Sequence, residues 1–286
     1  MAGFVGFVAL VIWVFAMAME FDSFSALSIV GISLIITGVI NIISYYYSDK
    51  MVLAISGAKE IHREENPDIY NLVDNLCTGA GIPVPKIYVI DDSAPNAFAT
   101  GRDPQHAAIA LTTGIIQKLE RRELEGVVAH ELSHIKNYDT LYMSIVVILV
   151  GLIALLADIF MRTLWYGGGR RRDDNTGAGS GGGIFLALGI VFALLSPLIA
   201  ELIKLAVSRQ REYLADASAA LLTRYPDGLA SALAKIEADH EPLEVANKAT
   251  AHLYITNPLK DWGGKLNGLF STHPPIEERI AKLRQM

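Results

Sequence analysis

Four stretches of this chain carry almost nothing but apolar and small uncharged residues. Gly3 to Met19 is the first. Ala26 to Tyr47 is the second and closes on Tyr45, Tyr46 and Tyr47. Leu141 to Trp165 and Ile184 to Val207 are the third and fourth. Each is long enough, or nearly so, for a helix to cross the ~30 Å hydrocarbon layer of a bilayer, and the tyrosines suit a membrane–water interface. The pattern therefore predicts two transmembrane hairpins. Ala16-Met17-Ala18 resembles a signal-peptidase site, but no Lys or Arg precedes the apolar run and a second span follows closely, so a retained helix is expected. Asp158 lies inside the third stretch, where a carboxylate belongs at a membrane boundary or faces a polar cavity. Pro197 is expected to kink the fourth. Gly167 to Gly183, with Arg170, Arg171 and Arg172, is a low-complexity loop.

Between and after the hairpins the pattern becomes globular. Asn66-Pro67 starts a helix whose apolar positions Ile69, Leu72, Val73 and Leu76 fall at helical spacing, and Gly79 and Gly81 stop it. Lys86 to Ile90 reads as a strand, and so does His106, Ala107, Ala108, Ile109, Ala110 and Leu111. This second run is offered as an edge strand on which an extended peptide could pair through its main chain. Glu120 to Asn137 follows as a helix. Asp227 to Asp239 and Leu243 to Ile255 are further candidate helices, and a last one runs to Arg284. Four parts result. Residues 1–48 form a hairpin and 49–140 the first globular part. Residues 141–207 form the second hairpin and 208–286 the second globular part.

Composition agrees with membrane residence. The chain has 286 residues, is 52% hydrophobic and has a mean hydropathy of +0.36. A net charge of −6 with no long basic tract argues against nucleic-acid binding. The single cysteine, Cys77, rules out an intrachain disulfide and reads as a small buried apolar residue.

The chemistry gathers on the helix 120–137. His130-Glu131-Leu132-Ser133-His134 reads H-E-x-x-H, which turns two imidazoles to one face and sets Glu131 beside them. Zinc suits such a pair, and a third protein ligand is then required. Glu212 is the candidate. Its helix follows the fourth apolar stretch as the helix 120–137 precedes the third, so a hairpin returns the two to one membrane surface. Asp216, at i+4 from Glu212, could accept a hydrogen bond from the remote nitrogen of His130. Asp227, followed by Gly228, is the rival ligand, as in site-2-type intramembrane proteases, although it would equally cap the helix it begins. His62, His240 and His252 stand among polar residues. His273, stiffened by Pro274 and Pro275, is either a helix-entry residue or a donor near the metal.

Four segments in this order resemble the HtpX-type membrane zinc metalloproteases, relatives of the CAAX prenyl proteases. They are Asn96-Ala97-Phe98-Ala99-Thr100-Gly101, the His130–His134 motif, Ser208 to Asp216, and His273-Pro274-Pro275 with Arg279. The resemblance implies a mainly α fold with a small β-sheet, in a multi-span membrane protein with a gluzincin-like zinc metalloprotease domain. It implies one Zn2+ per chain on His130, His134 and Glu212, with Glu131 as base. Asn96, His273 and Arg279 would line the cleft, and His273 would assist at the oxyanion. It further implies an endopeptidase of the inner membrane, with its catalytic domain in the cytoplasm, acting on membrane or misfolded polypeptides in quality control. Arg162 and Arg170 to Arg172 oppose that orientation under the positive-inside rule, whereas Lys50, Lys59, Arg63, Lys204, Arg209 and Arg211 favour it. Two other expectations stay open: that the third and fourth helices do not fully span, and that the chain is a non-catalytic scaffold.

Overall fold

The structure is a computed structural model that describes Trp13 and residues 23–145, 209–239, 241–243, 253–256 and 274–286. The first, third and fourth apolar stretches, Asp158, the Gly/Arg loop and His273 thus lie outside the described residues, in whole or for the most part. The chain divides into two compact units, one of residues 1–46 and 150–202 and one of residues 47–149 and 203–286.

In the first unit the described structure is the start of α1 (Ser23–Ile55), a helix of 33 residues whose end belongs to the second unit. Phe24, Leu27, Ile32, Ile35, Ile36, Val39, Ile42 and Ile43 are all exposed on it. Taken over the described residues, no helix is long and apolar enough to cross a membrane. In α1 the described side chains are interrupted by others outside that set.

The second unit is a small mixed sheet packed on helices. It contains β1 (Lys59–Glu60), α2 (Pro67–Ala80), β2 (Lys86–Ile90), β3 (Ala97–Gly101), β4 (Ala107–Thr112), α3 (Thr113–Lys118), α4 (Arg121–Lys136), α5 (Arg209–Thr223), α6 (Pro226–Ala238) and α7 (Ile276–Leu283). Local chemistry sets the boundaries. Asn66 caps α2 by accepting from the Ile69 N–H, and Gly81 ends it at φ 71 with its N–H on the Cys77 carbonyl. At the start of α4, the Glu123 carboxylate accepts from the Glu120 N–H at 2.8 Å.

The sheet order is β1-β2-β4-β3, with β4 parallel to β2 and antiparallel to β3. Alternation sorts the side chains by face. Ile87, Ala97, Ala99, Ile109 and Leu111 join the core under α2, α4, α5 and α6. Ile90, Phe98, Ala108 and Ala110 pack on the other face with Val52, Met143 and Tyr254. Covering both faces is why β3 and β4 are buried at every position.

Two sequence expectations are corrected here. The run His106 to Leu111 is not an edge: β4 is hydrogen-bonded on both sides, so Ala107, Ala108, Ile109, Ala110 and Leu111 offer no free backbone row. His106 is not in the strand. It ends the 3-10 turn Pro104–His106, its ring held on the Asp103 carboxylate at 2.8 Å. The strand at the sheet's edge beside α4 is β3, for which the sequence reading offered no strand. Of the expected helix 243–255, residues 244–252 lie outside the described residues, and its described ends, 243 and 253–255, are not α-helical. The Ile255 N–H instead donates to the Ala97 carbonyl at 3.0 Å, along the outer side of β3.

Candidate metal centre

α4 supplies three buried polar side chains from one helical turn. His130, Glu131 and His134 are 1%, 2% and 4% exposed. α5 packs across α4 and presents Glu212 and Asp216, one turn apart and both buried. α7 contributes Arg279, whose side chain is wholly enclosed.

The two imidazoles stand at right angles with their Nε2 atoms 3.2 Å apart. Glu212 closes the triangle, with Oε1 3.4 Å from His134 Nε2 and Oε2 3.7 Å from His130 Nε2. A four-coordinate ion with bonds of ~2.0–2.1 Å needs its donors about 3.3 Å apart. The observed edges bracket that length. These are also the three residues whose donor atoms gather within 4.8 Å of one another, the one such group among the described residues.

Both Nδ1 atoms point away from this triangle, each to a carboxylate. His130 Nδ1 is 3.0 Å from Asp216 Oδ1, and His134 Nδ1 is 3.1 Å from Asp139 Oδ2. The hydrogen-bond network thus assigns the protons to Nδ1 and leaves the Nε2 lone pairs converging. Asp216 is itself held by Arg279, whose Nε and Nη2 donate at 2.8 and 2.7 Å. Burial raises the Asp216 pKa, but the His130 hydrogen bond and the guanidinium outweigh it and bring it down to about 2.

The charge balance asks for a cation. Glu131, Asp139, Glu212 and Asp216 are buried around one fully enclosed guanidinium. His134 lies between two of these carboxylates, Asp139 and Glu212. Burial lowers its pKa, yet the Asp139 hydrogen bond and the Glu212 and Glu131 charges raise it to about 9. His130 is held down by burial, against the pull of Asp216 and with the charges of Arg279 and His134 lowering it further. Burial pushes Glu131 up to about 7, with His134, Arg279 and the Ala99 N–H opposing and Glu212 assisting.

The profile of peptidase family M48 matches residues 63–286. The chain belongs to peptidase family M48. Among curated M48 relatives, the "Protease HtpX homolog" of Dictyoglomus thermophilum is 50% identical over 247 residues, which are 86% of this chain and 78% of that one. The protein of the same name from Thermoanaerobacter pseudethanolicus is 49% identical over 248 residues, 86% of this chain and 81% of its own. Among solved structures, S. mikatae Ste24p aligns with a TM-score of 0.51 at 18% identity. That alignment covers 99% of this chain, which spans 63% of the length of Ste24p. This is a likeness of fold.

The other residues singled out in the sequence fall as follows in this M48 chain. Asp227 is exposed in the first turn of α6, away from the histidines, so the site-2-type arrangement is not the one formed. Asn96 is buried. Its side chain accepts from the Ala97 N–H and donates to the Thr256 carbonyl, bracing the turn into β3. Arg279 reaches in among the ligands: its guanidinium donates to Asp216 and to the Ile255 carbonyl, and it stands 3.5 Å from Glu212 Oε2 and 3.4 Å from His130 Nε2. His273 lies outside the described residues. Two groups escaped the sequence reading: Asp139, five residues after His134, and the Ala99 N–H, which donates to the Glu131 carboxylate. The Asn96–Gly101 segment was the one signal for the second, and nothing in the pattern marked the first.

Proposed function

We propose that this M48 chain is a membrane-anchored zinc endopeptidase that hydrolyses membrane or misfolded polypeptides, in a quality-control role. One observation carries the reading: the converging triangle of His130 Nε2, His134 Nε2 and Glu212, with the Glu131 carboxylate beside it. Two imidazoles and a carboxylate with tetrahedral spacing suit Zn2+. When bound, the ion supplies Lewis acidity to the scissile carbonyl and acidifies a water toward ~7.

The chain's own groups do the rest. The Ala99 N–H favours the charged Glu131 carboxylate, and burial brings its proton affinity near neutrality. Glu131 accepts the proton of the attacking water and delivers it to the leaving amine. β3 is offered as the lane for an extended substrate beyond Ala97, whose carbonyl is already taken by the Ile255 N–H, since it is an edge strand of the sheet and packs beside α4. Asp216 keeps the His130 ring in place. His273 is assigned to the oxyanion, supported by its chain position next to buried Pro274 and six residues before Arg279.

The membrane part of the proposal rests on the four apolar stretches, on the exposed apolar side chains of α1 and on the membrane-protease resemblance. We divide the chain at residues 48, 140 and 207 into hairpin, first protease part, hairpin and second protease part, with the protease parts in the cytoplasm of a bacterial or archaeal cell. The test is chemical. Glu131→Gln should retain one zinc and lose cleavage of a casein or membrane-protein substrate by at least ~100-fold, whereas Glu212→Ala should lose the zinc itself. Turnover by Glu131→Gln within ~10-fold of the wild-type rate, or full zinc content in Glu212→Ala, would sink the assignment.

A further inference from the structure

α4 ends at Lys136, where the Asn137 N–H still reaches the Ser133 carbonyl at 3.0 Å. Tyr138 then takes φ 62, the left-handed region that a non-glycine residue enters at a cost of roughly 1 kcal/mol. Its effect is to fold the chain back, so that residue 139, at the head of the next helical stretch, lies over the last turn of α4. The Asp139 carboxylate is buried there and divides its oxygens. Oδ2 lies 3.1 Å from His134 Nδ1, and Oδ1 lies 3.5 Å from Arg211 Nε. Arg211 directly precedes Glu212 on α5, and its guanidinium also rests 5.1 Å from the ring centre of Tyr142, three residues beyond Asp139.

A single carboxylate therefore touches a candidate ligand on α4 and the neighbour of a candidate ligand on α5. Asp216 joins the same two helices from its own place on α5 to His130 on α4, and Asp139 is the second tie, made at the other imidazole. We propose that Asp139 is a positioning residue that clamps the two halves of the metal centre together, an inference that rests on the metal reading above. It fixes the His134 ring with the proton on Nδ1, so that the Nε2 lone pair is presented to the ion. Through Arg211 it also seats the first turn of α5 so that Glu212 arrives in register. The two halves are separated in sequence by the whole segment 146–208, so local folding of α4 alone cannot set the distance between them.

Zinc affinity reads the clamp directly. The full chain in detergent is stripped of metal and titrated with zinc against a chromophoric chelator, and its unfolding temperature is followed in parallel. Asp139→Asn should weaken zinc about 10–100-fold, with partial recovery in Asp139→Glu. Arg211→Met should weaken it by less. The double variant should be no weaker than Asp139→Asn alone, because both act through one contact. A merely structural role would lower the unfolding temperature and leave zinc affinity where it was.

Wild-type affinity in Asp139→Asn overturns the proposal, and full additivity of the two substitutions overturns the clamp to α5. If Asp139→Asn does not fold, Arg211→Met decides, and wild-type affinity in that variant counts against the clamp. Failure of the wild-type chain to bind zinc is a different outcome, and it removes the metal reading itself.

Discussion

At the scale of single residues, what decides behaviour here is how each buried polar group is compensated. Cys77 has no compensation. It is buried in the core beneath α2, and desolvation, with the Asp74 charge adding to it, pushes its thiol up to about 12. An unfolded thiol titrates near ~8.5. Below that pH both states hold the proton and the group costs nothing. As pH rises from ~8.5 toward about 12 the unfolded chain releases a proton that the folded chain keeps, so stability falls over that window. Two outcomes are expected: a thiol reagent at pH 8 leaves the native chain unlabelled and takes up one equivalent on unfolding, and Cys77→Ser flattens the alkaline loss in urea titrations. Rapid native labelling would contradict the burial. Cys77 was legible as a small core residue from the spacing of its helix, and the H-E-x-x-H pair from its i, i+4 interval. Asp139 was not, because its approach to His134 depends on the left-handed turn at Tyr138, and tyrosine gives no signal for such a turn. The full enclosure of Arg279 was not legible for a related reason. A guanidinium is expected near water unless a carboxylate meets it bidentately, and that carboxylate lies 63 residues away.

At the scale of elements, two glycines set how closely α4 and α6 approach. A Cβ on Gly126 would stand 2.7 Å from the Leu229 nitrogen and 2.9 Å from its Cα. One on Gly228 would stand 2.6 Å from the Arg122 carbonyl oxygen. Both obstacles are backbone, so the helices themselves would have to separate. This gives Asp227-Gly228 a packing explanation in place of a ligand one. Gly126→Ala should destabilise the fold by about 1–3 kcal/mol, read as a lower unfolding temperature. It should also reduce zinc retention, since α4 carries the histidines. An unchanged unfolding temperature would mean that the crossing is looser than it is drawn. The helices were largely readable in advance: Asn66-Pro67, Gly81 and Glu123 are local signals, and the observed ends of α2, α4 and α6 fall within a few residues of the expected ones. The sheet was readable only in part. Burial on both faces removes the alternation that tells edge from interior, and strand order is a long-range property that Lys86–Ile90 and Ala107–Thr112 could not announce. The consequence was functional, since the strand expected to take a peptide, β4, is paired on both sides.

At the scale of the whole molecule, the proposed attachment to a bilayer can be tested by its physical mode. Two physical modes compete. An electrostatic attachment needs a basic surface and weakens as salt shortens the Debye length from ~8 Å to ~3 Å. This chain carries a net charge of −6 and no long basic tract. An apolar attachment buries hydrocarbon-like side chains at roughly 25 cal/mol per Å2 and is strengthened by salt rather than weakened. The exposed Phe24, Leu27, Ile32, Ile35, Ile36, Val39, Ile42 and Ile43 on α1 fit the second mode, as does the apolar pattern of the other three stretches. Membranes from cells expressing the full chain should therefore keep it through a wash at about 1 M salt and through alkaline carbonate, and should release it only to detergent. Recovery in the salt wash would identify a peripheral protein and would require the two hairpins to be reassigned. Carbonate release without salt release would indicate helices that lie in the interface instead of crossing it, as the alternative for 141–165 and 184–207 supposes. The same preparation tests the orientation. With Glu131→Gln present to prevent self-cleavage, a protease added to sealed inside-out vesicles should digest the 209–239 region, and right-side-out vesicles should protect it.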